Sequence, residues 1–221
     1  NDSNADNIKK NYITVYIAGY TNNKSHTATD ATQFLGGIAG ELRTGLVNNC
    51  SNTAALTGST TTQFVGGIVG RLNGRLIANC TNSGAITGNY TSGNGGMYGG
   101  IVGCVTVGGV IDSKNENTAT VKGLGNIGGI AGFSGSQLVN RAANAIRWTW
   151  DNTGILRCNN RGAININAPT DIYSALGGIV GNLAAGDLTN CVNYASIGSI
   201  NTYCAGGIVG RFVVMNDVYA S

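Results

Sequence analysis

Four cysteines, Cys50, Cys80, Cys158 and Cys191, each stand two residues before an asparagine, in phrases such as Asn79-Cys80-Thr81-Asn82-Ser83-Gly84-Ala85-Ile86 and Cys158-Asn159-Asn160-Arg161-Gly162-Ala163-Ile164. Thiols at equivalent places offer three chemistries: metal ligation, disulfide staples, or a row of small buried side chains. No Cys-x-x-Cys pair supports the first, and Ser113 occupies the equivalent place between Cys80 and Cys158. Side chains that point the same way in register suit the disulfide torsion poorly. Free cysteine is among the most buried residue types. The expectation is therefore a structural ladder of four buried, mostly reduced thiols.

The remaining titratable groups argue against catalysis. His26 is the single histidine, in Ser25-His26-Thr27-Ala28-Thr29-Asp30. A catalytic triad is assembled in space from separate elements, not from neighbours in sequence, so an exposed loop histidine is expected. A zinc site needs three or four ligands, and no His-Glu-x-x-His helix supplies them. The acids are Asp2, Asp6, Asp30, Glu41, Asp112, Glu116, Asp151, Asp171, Asp187 and Asp217. Glycoside hydrolysis needs two carboxyls about 5 to 9.5 Å apart, and only Asp112 with Glu116, or Asp151 with Asp171, come under consideration. The expectation is no catalytic residue, no metal and no cofactor: a non-enzyme.

Both tryptophans fall in Arg147-Trp148-Thr149-Trp150-Asp151. In an extended segment Trp148 and Trp150 project to one side, and with Arg147 they form a candidate ligand-binding patch for a glycan or host protein. The competing reading folds the two rings back over the flank of the core. Asn49, Asn79 and Asn89 begin Asn-x-Ser/Thr acceptor patterns. Their recurrence at one place favours an amide ladder at a turn over glycosylation.

What positions these residues is a repeat. Gly-Gly-Ile-Val/Ala-Gly begins at Gly36, Gly66, Gly99, Gly128, Gly177 and Gly206, at spacings of 30, 33, 29, 49 and 29 residues. A period of this size marks a solenoid or a blade array. The apolar residues Ile68, Leu72, Ile77, Cys80 and Ile86 read as three or so short strands per repeat. Those are too few for the antiparallel meander of a propeller blade. The predicted fold is all-β: a parallel β-solenoid (β-helix) of about seven coils with one long insertion in the fourth Gly-Gly-Ile repeat. The single domain spans 1–221, with a degenerate first coil at 1–33, six repeats at 34–212, the insertion at 133–157 and a C-terminal segment at 213–221. Ile38, Ile68, Ile101, Ile130, Ile179 and Ile208 should form one buried row. The motif glycines are read as corners that need positive φ and freedom from a Cβ.

Composition fits this picture: 36 glycines, a single proline, 10% charged residues and a net charge of +3. No basic stripe suggests nucleic acid, and no apolar run reaches the roughly 20 residues of a membrane span. Gly66-Gly67-Ile68-Val69-Gly70 followed by Asn79 to Ile86 resembles the GLUG glycine-rich repeats of bacterial surface proteins, over about residues 34–212. Such repeats also occur in non-catalytic parts of immunoglobulin A-cleaving metallopeptidases. The resemblance implies a non-enzymatic, extracellular or cell-surface structural or adhesive protein. The alternative is a glycan- or host-protein-binding module within a larger surface peptidase. Open solenoid ends suggest head-to-tail self-assembly into filaments, or packing on flanking repeats. Tyr12, Val15 and Ile17 would form one face, and Phe212, Val213, Val214 and Met215 the other.

Overall fold

The Gly-Gly-Ile bend turns the chain back on itself once per repeat, and everything else follows from where that bend leaves the next strand. The computed structural model describes residues 15–91, 95–116, 118–135, 154–166, 171–198 and 202–213. Every strand pairs in parallel with its counterpart in the neighbouring coil, which makes the chain a parallel β-solenoid. One coil shows the pattern. Val69–Ala78 leaves the bend on a long first sheet, Thr81–Asn82 lies on a second, Ile86–Thr87 on a third, and Gly96–Gly99 on a fourth that leads into the next bend. The second, third and fourth sheets each contain six strands. Four faces per coil therefore replace the three or so expected. Two-residue strands leave too short an apolar alternation for the sequence to resolve them.

Corners between the first and second sheets use the left-handed region without glycine. Asn49, Asn79, Asp112, Arg157 and Asn190 hold equivalent places with φ between 51° and 54°. The glycines of the bend do something else. None of the motif glycines has positive φ among the described residues, which corrects the conformational role expected for them. Space is what they supply. A methyl group on Gly67 would collide with the carbonyl of Gly100 and the side-chain amide of Asn82.

Two large apolar lobes result, and a third, smaller cluster groups Phe64, Cys104 and Phe133. Ile68, Val69, Leu72, Ile77 and Cys80 belong to the first, with their equivalents in neighbouring coils. Val65, Ile86, Tyr98, Ile127 and Leu176 belong to the second. Tyr98 takes the place held by Val65 and Ile127 in adjacent coils. Its larger ring fits because Gly88, Gly96 and Gly123 surround it, and its hydroxyl accepts the Tyr90 N–H at 3.1 Å. The predicted isoleucine row exists, but it is fully buried only in its middle: Ile68, Ile101, Ile130 and Ile179 are sealed, Ile38 is half-buried and Ile208 is 40% exposed. A row in a solenoid is sealed by the coils on both sides, and the first and last described coils each have one described neighbour.

Phe133 and Ser134 pair with Cys104 and Val105 on one side and with Asn182 and Leu183 on the other, while Gly154–Leu156 pairs with the Val110 strand. Both stretches are regular coil at the margins of the segment read as an insertion. Residues 136–153 of that segment, including Arg147, Trp148 and Trp150, lie outside the described residues, as do Tyr12, Val214 and Met215.

Candidate functional site

The chain crosses from the first lobe at Cys80 to the second at Ile86, and returns through the bend at Gly67. At the waist between the two crossings lies an asparagine. Asn82 is completely buried, as are Asn52, Asn115 and Asn160. Its Nδ2 donates to the carbonyl of Gly84 at 2.9 Å, and its Oδ1 accepts the Gly84 N–H at 3.3 Å. The turn is thus closed by a side chain instead of by water. The second N–H of each amide donates to the next coil. Asn22 donates to Asn52 at 2.7 Å, Asn52 to Asn82 at 2.8 Å, and Asn82 to Asn115 at 2.9 Å. Asn115 then donates to Asn160 at 2.8 Å, and Asn160 to Asn193 at 2.8 Å.

This amide ladder was expected one phrase earlier, on Asn49, Asn79 and Asn89. Asn49 and Asn79 instead make the left-handed corner. Asn79 donates to Asn48 of the previous coil, and Asn89 to the carbonyl of Gly58. The recurrence of Asn52, Asn82, Asn115 and Asn193 two residues beyond the thiol position was the available signal, and it marks the inward face.

Cys50, Cys80, Cys158 and Cys191 line the first lobe, whereas Cys104 packs with Phe64 and Phe133. All six cysteines are free; Cys50, Cys80, Cys104 and Cys158 are buried, and Cys191 and Cys204 are half-buried. Ser113 completes the row by accepting the Cys80 N–H at 3.2 Å, as Cys191 Sγ accepts the Cys158 N–H at 3.4 Å. Burial pushes the Cys80 thiol up to about 11 and the Cys104 thiol up to about 12. These two are protonated and unreactive near neutrality. Cys191 differs because its coil is the last described one. A hydrogen bond from the Cys158 thiol favours its thiolate and lowers its pKa, while the same contact and burial raise that of Cys158. The expectation of four buried thiols therefore fails at Cys191, for the reason that Ile208 is exposed.

Asp112 is held by Arg157 of the next coil in a bidentate pair, 2.7 Å from Nε and 2.8 Å from Nη2, at an exposed corner. The guanidinium lowers the Asp112 pKa. Asp151 lies outside the described residues. His26 is exposed, on the short strand His26–Thr27. Among the described residues, no group of three His, Cys, Asp or Glu side chains is placed to hold a metal ion.

Exposed apolar side chains cluster at the two ends. Val15, Tyr16 and Tyr20 belong to the first described coil, and Val192, Tyr194, Tyr203, Ile208 and Phe212 to the last described one; among the described residues Val107 alone lies between. Of the residues expected to form end faces, Val15 is 45% and Phe212 66% exposed, and Ile17 and Val213 are half-buried. Tyr20 and Tyr194 went unnoticed because each follows a Gly or Asn in a polar phrase, and only the coil register puts them on an end.

No family model matches the chain, and no curated protein matches it. Among solved structures, it is similar to a "putative immunoglobulin A1 protease" from Bacteroides ovatus, with 19% identity and a TM-score of 0.49 over 76% of this chain and 48% of that one. The chain thus spans about half the length of that protein.

Proposed function

We propose that this chain is a non-enzymatic structural or adhesive module of a bacterial surface, a stiff spacer that holds other parts at a distance. The observation that supports this reading is the unbroken amide ladder from Asn22 to Asn193. Each coil is bonded to the next through the interior as well as through its sheets, so bending the rod breaks buried polar contacts. The extracellular assignment rests on the resemblance of the Gly-Gly-Ile phrases to surface-protein repeats. The same reading counts about seven coils, with the one long insertion in the fourth repeat presenting its Trp148 and Trp150 segment.

The test is twofold. Small-angle scattering and limited proteolysis of the purified chain should show an elongated, resistant particle. Incubation with immunoglobulin A1 and a panel of bacterial and host polysaccharides should give no product. Turnover of any of these substrates, abolished by a point substitution in the chain, would overturn the reading.

A further inference from the structure

The amide ladder has a direction. In every rung the Nδ2 of one coil donates to the Oδ1 of the coil that follows it in sequence. The ladder therefore ends in a spare donor at one end of the rod and a spare acceptor site at the other. Asn193 gives one N–H to the carbonyl of Ala195 at 3.0 Å, and its other N–H has no partner among the described residues. Among the described residues, the Oδ1 of Asn22 accepts only the backbone N–H of Lys24, at 3.2 Å, where inner rungs accept a second bond from a neighbouring amide.

Backbone bonds flanking the second sheet run the other way, from the later coil to the earlier. Ser51 N–H donates to Tyr20 O at 2.8 Å, Thr81 N–H to Cys50 O at 3.0 Å, and Val192 N–H to Cys158 O at 3.0 Å. At the third sheet they run forward, as in Ile86 N–H to Thr120 O at 2.8 Å. The first and last described coils thus present second-sheet strands of the same register that pairs every inner coil. Interior rows end alike: Ile17 begins the row of Val47, Ile77, Val110 and Ile155 that Leu188 closes. Tyr16 and Tyr20 at one end, and Val192, Tyr194, Ile208 and Phe212 at the other, provide apolar area to bury.

We propose that a second copy of this chain docks head to tail, with its Asn22 coil continuing the ladder from the Asn193 coil. In that register Asn193 Nδ2 donates to Asn22 Oδ1, Ile17 covers Leu188, and Tyr20 lies over Cys191. The proposal rests on the reading of the chain as a structural module, and it names the partner of its ends. Complementarity between opposite ends excludes a closed two-fold dimer and leads to open filaments. Like ends would set amide donor against donor at Asn193 and acceptor against acceptor at Asn22.

The test uses the full chain and two variants that block opposite ends, Asn22→Lys and Asn193→Lys, with folding checked by circular dichroism. Sedimentation velocity of the parent should show mass rising with concentration without a plateau. Each variant alone should remain monomeric. An equimolar mixture of the two should form dimers and stop there, because only one complementary pair of ends remains. Tyr20→Lys and Ile208→Lys repeat the design if either asparagine variant misfolds. A parent that is monomeric at every concentration, a variant that dimerises alone, or a mixture that stays monomeric would overturn the proposal. A monomer that is still a resistant rod leaves the spacer reading standing, whereas substrate turnover removes that reading without touching assembly.

Discussion

Replacing Asn82 by alanine removes four hydrogen bonds at one buried point. The amide of Asn52 loses its acceptor and Asn115 Oδ1 its donor, and both the N–H and the carbonyl of Gly84 lose their turn partner. Asn52, Asn82 and Asn115 are fully buried. A buried group left unsatisfied costs about 1 to 3 kcal/mol. A water entering the vacated space would restore part of that, so the expected loss is about 3 to 5 kcal/mol in total. Asn193→Ala makes a matched control. It removes the bonds to Ala195 and the one from Asn160, but at a half-exposed coil where water substitutes, and it should cost about 1 kcal/mol or less. Urea unfolding followed by circular dichroism measures both, compared at midpoint because repeat arrays need not unfold in one step. A loss below about 1 kcal/mol for Asn82→Ala, or equal losses for the two variants, would refute the idea that the ladder holds coils together. Asn82→Asp adds a pH signature. Burial raises a carboxyl pKa in the folded state above its unfolded value of about 3.9. The variant should thus be most stable below that value and lose stability as the pH rises towards the folded pKa.

Ile101→Ala, in the sealed part of its row, should lower stability by about 2 to 5 kcal/mol, while Ile208→Ala should change it little; a loss under half a kcal/mol at Ile101 would place the register in error. Gly67→Ala should destabilise by about 1 to 3 kcal/mol or more through overpacking, whereas Gly207→Ala, where an added Cβ meets nothing within 4 Å, should be nearly neutral; equal melting shifts would remove the close-approach argument. In native protein, iodoacetamide should label Cys191 well before Cys80, Cys104 or Cys158, at a rate that climbs with pH from below the ordinary thiol range, because its thiolate is stabilised by Cys158. Mass spectrometry showing uniform protection, or Cys80 labelled first, would contradict this.

The solenoid was legible because a bend that must recur does so in recognisable residues. Gly-Gly-Ile tolerates few substitutes where backbones approach so closely, as the collision of a Gly67 methyl with Gly100 illustrates. Inward apolar rows were legible for the same reason, down to Ser113 standing in for a thiol. The ladder was harder to assign. In Asn79-Cys80-Thr81-Asn82 two asparagines compete for the inward direction, and simple alternation fails because Asn79 sits in the left-handed region. Only the corner geometry decides that Cys80 and Asn82 face inward. Tyr98 with its three glycines was invisible for another reason: Gly88 and Gly123 lie far from it in sequence, and each looks like an ordinary turn glycine. Exposure at Cys191 and Ile208 depends on what lies beside the last described coil, which a repeat pattern does not encode.

The waist explains why asparagine is used where an apolar side chain would seem simpler. The crossing between lobes leaves both backbone groups of Gly84 without a sheet partner in a dry place, and an apolar residue at position 82 would leave them so. A carboxylate could accept but not donate, and a hydroxyl is too short to reach both. The amide satisfies the turn with one N–H and one lone pair, and it has one of each to spare. At the spacing of stacked strands the spare groups meet those of the adjacent coils. Closing a turn within one coil and bonding that coil to its neighbours are thus a single requirement met by a single residue type. The polarity that gives the rod opposite ends follows from the same amides, since each can offer its spare donor in only one direction.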